Sequence, residues 1–114
     1  MALPCSSFIL PVKVSSEDFF DVIKNNSLQL ASTDIRPEGE FKNFIVNLAT
    51  LLRVELITMD SKAATLYGKS IQGHHVAFYI KTPTPGSPVH VDIKCSSSPF
   101  ATSLASEISS AFPK

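Results

Sequence analysis

A chain of 114 residues, 44% of them hydrophobic, is long enough for one domain that buries roughly two-thirds of its unfolded surface, and too short for two. Its ten basic and ten acidic residues cancel and no run of like charge occurs, which argues against a nucleic-acid binder and against a polybasic membrane patch. Two cysteines far apart, Cys5 and Cys95, make neither a disulfide framework nor a metal-ligand spacing and fit a reducing, cytosolic setting.

The first segment, Met1 to Val14, is apolar but lacks a basic n-region and is interrupted by Pro4 and Pro11, so it reads as a strand and not as a signal peptide. Phe8, Leu10, Val12 and Val14 share one face of it, and Pro11 confines it to a sheet edge. Ser15-Ser16-Glu17-Asp18 predicts a helix start, with Ser15 as N-cap and acidic side chains in the first turn to meet the helix dipole. Phe19, Phe20, Val22 and Ile23 are its apolar residues, and Asn25-Asn26 stop it. Leu28 to Ala31 is a short extended piece whose leucines join the sheet or pad the core.

Arg36 to Glu40 opens the longest predicted helix, in which Phe41, Phe44, Ile45, Leu48, Leu51 and Leu52 recur at helical spacing. Burying such a stripe contributes about 1.5–3 kcal/mol per fully covered side chain before conformational entropy is subtracted, so this helix is the expected centre of the core. Four strands follow: Val54–Met59, Ala63–Ile71 after the polar turn Asp60-Ser61-Lys62, His74–Lys81 after Gln72-Gly73, and Val89–Cys95 after a proline-rich loop. Val76, Phe78 and Ile80 alternate with polar or small neighbours, as do Val89, Val91, Ile93 and Cys95 with His90, Asp92 and Lys94, so the meander has one buried and one wet face. Ser98-Pro99 starts a closing helix with Phe100, Leu104, Ile108, Ala111 and Phe112 along one side. The fold class that follows is α+β: a single domain over residues 1–114, with an antiparallel sheet of about five strands and helices packed on one face.

Catalytic and metal chemistry find little purchase. His74 and His75 are adjacent on a strand and point to opposite faces, so together they are poor ligands for one ion even with His90 nearby. Cys95 shares the core face of its strand and reads as a small hydrophobe; Glu17, Asp18, Glu38 and Glu40 read as first-turn acids. No phosphate loop, nucleophile elbow or zinc spacing occurs, so no enzyme activity and no cofactor is expected. Thr65, Tyr67, Lys69 and Ile71 share the strand face opposite Ala64 and Leu66. The pattern predicts an exposed Tyr67 packed on a cross-strand neighbour, and an open patch of Tyr67, Tyr79 and Lys69 able to anchor a peptide.

The run from Met59 to Val76, and within it Ser70-Ile71-Gln72-Gly73-His74-His75-Val76, followed by Val91–Ser96 and a terminal helix, resembles the C-terminal appendage of delta-adaptin, a large subunit of the third adaptor-protein complex. The order of elements is similar to the platform half of adaptor appendages, a TBP-like arrangement. The resemblance implies a non-enzymatic interaction module of a vesicle coat, cytoplasmic and peripheral on Golgi and endosomal membranes, acting in cargo transport toward lysosomes. It implies accessory or regulatory trafficking proteins as partners, bound through short peptides or a coat subunit, with no nucleic acid, only indirect membrane contact and a monomeric domain preceded in the parent chain by a sandwich subdomain. In related platforms a tryptophan on the first helix and a tyrosine on a nearby strand form a shallow peptide pocket. The tyrosine position falls on Tyr67 and the tryptophan position near Asn25, and this chain contains no tryptophan. A second class, a small apolar-ligand carrier with helices curled over the sheet, is disfavoured because the core-facing positions hold enough large residues to fill a single layer.

Overall fold

The computed structural model describes residues 8–9, 16–25, 29–36, 39–70, 72–82 and 88–111. Their elements are β1 (Phe8–Ile9), α1 (Ser16–Asn25), β2 (Gln29–Ile35), α2 (Phe41–Leu52), β3 (Glu55–Met59), β4 (Ala63–Ser70), β5 (His75–Lys81), β6 (Val89–Cys95) and α3 (Ser98–Ala111). All six strands pair antiparallel in one sheet. β1 and β3 lie on the same side of β4, against different stretches of it, so the sheet is five positions wide: β1 and β3 together, then β4, β5, β6 and β2.

Short local signals set the connections. At the β3–β4 turn Asp60 Oδ1 accepts from the backbone N–H groups of Lys62 and Ala63, both at 2.8 Å, the side-chain turn for which Asp is favoured. These two bonds hold the Asp60 carboxyl below its ordinary pKa. Between β4 and β5, Gly73 takes a φ of +91° and its N–H donates to the Ser70 carbonyl, a backbone conformation that glycine adopts without a Cβ penalty. At the end of α2, Arg53 occupies the left-handed region with φ 57°, and its N–H caps the last turn.

The inner face carries the main core. Ala64 and Leu66 of β4, Val76, Phe78 and Ile80 of β5, and Val89, Val91, Ile93 and Cys95 of β6 meet Phe44, Ile45, Leu48 and Leu52 of α2 and Ala101, Leu104 and Ile108 of α3. Period-two and helical spacings converge on one layer. The α+β class and antiparallel sheet are as expected, with one difference in the placement of helices: α2 and α3 cover the inner face, whereas Phe19 of α1 packs on the other face.

Several local expectations change. β2 runs through Ile35 and pairs with β6 over seven register positions, beyond the short Leu28–Ala31 piece, because the alternation Ala31, Thr33, Ile35 continues on the inner face. Leu30 joins the sheet on the outer side and is 61% exposed. The longest helix is α3, 14 residues against 12 for α2. In α2 the buried stripe takes Ala49, while Leu51, ten residues from Phe41 and so turned well off the stripe, is 46% exposed. The strand residues after Ile9, the Ser15 N-cap, Leu28, Ile71, most of the proline-rich loop and Phe112 lie outside the described residues.

In β3 the register shifts between Leu56 and Thr58: Leu56 faces Leu66 and Thr58 faces Thr65, with Ile57 as the extra residue of a β-bulge. Leu56 and Met59 pack on the inner core, and Ile57 on the outer cluster.

Candidate functional site

The outer face is built by register. One row across the sheet reads Tyr67, Ala77, Lys94, Leu30, and the next reads Thr65, Tyr79, Asp92, Ser32. Ala77 stands between larger neighbours, and its small side chain leaves room for the Phe19 ring. Phe19 is fully buried there, its centroid 5.8 Å from the Tyr67 ring in an edge-to-face arrangement and 6.5 Å from that of Tyr79. The next residue, Phe20, is 60% exposed, with its ring 5.2 Å from that of Phe19. Helix α1 thus presents one phenylalanine to the sheet and the next to solvent.

Tyr67 is 4% exposed, which corrects the expectation of an exposed tyrosine: the first helix covers it, and no strand pattern could reveal a cover supplied by another element. Its hydroxyl lies 2.7 Å from His75 Nδ1, and the two rings stack at 6.1 Å. Burial pushes the Tyr67 phenol up and the His75 ring down, the latter helped by the Lys69 charge. Near neutral pH a neutral phenol therefore donates to a neutral imidazole. Lys69 is exposed and faces His75 across the β4–β5 ladder. Tyr79 is half-buried, its phenol also pushed up by burial, and Lys94 Nζ stands 5.5 Å from its ring centroid in cation–π geometry.

Of the four residues singled out by sequence, Tyr67 and Tyr79 are brought together through Phe19, and Lys69 joins them through His75. Asn25 is the last residue of α1, and its side chain is outside the described set. Phe19, Phe20, His75 and Lys94 were missed. The alternation that put Lys94 on the wet face was the available signal; its position over Tyr79 needs the β5–β6 register.

Residues proposed for other chemistry sit elsewhere. His74 lies at the rim of the core with its ring 6.0 Å from Phe100. Cys95 is fully buried, and burial pushes its thiol up, against the opposing backbone N–H bonds from Ser97 and Ser96. Among the described residues, no three His, Cys, Asp or Glu side chains are grouped to hold a metal, and no helix is long and apolar enough to cross a membrane.

Residues 6–113 match the family described as the AP3 Mu C-terminal domain. A similar protein is AP-3 complex subunit delta-1 of Bos taurus, 27% identical over 107 residues, which are 91% of this chain and 8% of that protein. The chain therefore spans about a twelfth of the curated relative it matches. No solved structure matches it. Both findings carry the AP-3 name, and the relative is the delta subunit to which the Ser70–Val76 segment pointed. With a match over nearly its whole length, the chain belongs to the AP3 Mu C-terminal domain family and is a delta-adaptin appendage-like domain.

Proposed function

We propose that residues 1–114 act as one non-enzymatic interaction domain of an AP-3-type adaptor complex, and that they recruit accessory or regulatory trafficking proteins to a coat on Golgi and endosomal membranes. The observation that carries this reading is the outer-face cluster: a buried Phe19–Tyr67 pair beneath a surface of Phe20, Tyr79, Lys94 and Lys69. Aromatic and cationic side chains on a rigid sheet are the composition of a peptide anchor, and the buried pair holds the exposed ones in place. Phe20 supplies aromatic area that the missing tryptophan would otherwise provide. Membrane contact is indirect, through the parent complex, and the domain is monomeric.

Among the described residues the large side chains of α2, α3 and the sheet pack into one layer, which lends a carrier role no support. A groove of about 490 Å³ lies open at the surface between the end of α2 and the start of β3, lined by Val46, Thr50, Arg53 and Glu55 among others.

The test is a pull-down from cytosol with wild type, Phe20→Ala and Tyr79→Ala, bound proteins being identified by mass spectrometry. Coat subunits or trafficking regulators retained by wild type and lost from both variants support the reading. Equal retention moves the site off this face, and an absence of trafficking proteins from the wild type overturns the role itself.

A further inference from the structure

At the opposite end of the outer face, His90 of β6 sits between two carboxylates. Its Nδ1 is 2.7 Å from Asp34 Oδ1 on β2, and its Nε2 is 2.8 Å from Asp92 Oδ1 on β6. Ser32 Oγ of β2 donates to the same Asp92 oxygen at 2.7 Å. A carboxylate only accepts, so both ring nitrogens must carry hydrogen, and the geometry describes an imidazolium. The bridge ties β2, an edge strand, to β6. A neutral imidazole has one N–H and can hold only one of the two carboxylates.

We propose that His90 is a proton-operated latch on edge strand β2: as imidazolium it joins Asp34 to Asp92, and on losing its proton it lets the Asp34 end of β2 come away from β6. The charged and titratable groups around it are Asp34 with Arg36 just beyond the strand on β2, Lys81 and Tyr79 on β5, and Asp92 and Lys94 on β6 itself. Lys81, the register partner of His90, offsets part of the carboxylate charge and leaves the pair under-neutralised once the ring is neutral. Helix α3 packs on the inner face, so its groups do not face His90. The hydrogen bond to Asp34 raises the His90 pKa, partial burial opposes it, and Asp92 adds to the rise, so the ring holds its proton to higher pH than a free imidazole does. Burial would raise the Asp92 carboxyl, but the Ser32 bond and His90 hold it below its ordinary value, so the proton resides on the ring. Opening β2 turns β6 from an interior strand into a free edge able to pair with another strand. The inference is independent of the peptide-anchor reading.

The test follows amide hydrogen exchange of the full chain by NMR from about pH 5.5 to 8.5, with β2 amides referenced to those of β5 to remove the intrinsic pH dependence. Imidazole resonances report His90 protonation in the same samples. The relative protection of β2 is expected to fall by about 2- to 5-fold as His90 deprotonates. His90→Gln should show no step and low β2 protection throughout, and Asp34→Asn should move the step to lower pH. The latch is overturned by a His90 that stays protonated across the range, by flat β2 protection while it titrates, by a step that persists in His90→Gln, or by one that Asp34→Asn leaves in place.

Discussion

The inner and outer faces of the sheet use the same five strand positions and are stabilised by different means. On the inner face two helices close over a continuous layer, and nearly every strand side chain is fully buried. On the outer face, among the described residues, Phe19 covers Tyr67 and Ala77 with Ile57 and Tyr79 packed beside them, and the far end carries polar contacts open to water. A face whose stability comes from many mutually dependent contacts has no side chain to spare for a partner. A face held by a small cluster can keep residues such as Phe20 and Lys94 exposed in fixed positions. The division of labour between fold and the proposed recognition follows from that difference.

The largest loss of stability is expected for Phe78→Ala. Phe78 is fully buried at the middle of the inner face, and urea unfolding should show a loss of about 3–5 kcal/mol. Tyr67→Ala, on the outer face, should cost about 2–3 kcal/mol, less than an inner-face truncation because the outer cluster is small and one side of it can relax. Tyr67→Phe, which removes only the hydroxyl paired with His75, should cost about 1 kcal/mol. If Tyr67→Ala proved as costly as Phe78→Ala, the outer cluster would count as a second core; a negligible effect would return Tyr67 to the exposed role expected from the strand pattern.

Acid and base should act on the two ends of the outer face in opposite directions. His90 has a raised pKa in the folded state, so its contribution is fully present below its unfolded pKa, about 6.5, and is lost as pH rises through the folded value. His75 has a lowered pKa, so its contribution is present above about 6.5 and is lost as pH falls through the folded value. Both rings are partly solvated, and each effect should stay below about 1 kcal/mol. Melting temperature against pH should therefore be shallow in the wild type, with an optimum that His90→Gln shifts upward. The smallest stability effect is expected for Phe20→Ala, within about 0.5 kcal/mol, together with loss of partner binding.

The inner face was legible in the sequence because its rules are local. Val76, Phe78 and Ile80 and the stripe Phe44, Ile45, Leu48, Leu52 declare their faces by spacing alone, and all are buried. The same locality explains the misreading of Leu51: an apolar residue at a helical interval of ten is counted into a stripe by type, while a small Ala49 fills the interface. β2 was cut short because its alternating residues include Thr33 and Asp34, polar types that do not announce a strand until the Asp34–His90 and Ser32–Asp92 pairs across β6 are known. The candidate site was half legible. Tyr67, Tyr79 and Lys69 were placed on the correct strand face, but the cover over Tyr67 comes from α1, some 48 positions earlier in the chain, and spacing carries no information about such a contact.

The bulge in β3 has a consequence for how the two faces can change. Without Ile57, Leu56 and Thr58 would fall opposite Leu66 and Thr65 in an unbroken ladder, and Met59 would still meet Ala64. Deleting Ile57 should therefore leave the inner register untouched and subtract one apolar side chain from the outer cluster alone. The outer face owes part of its packing to a one-residue insertion, so its surface is open to change by insertion and deletion as well as substitution, while the layer that holds the domain together stays as it is.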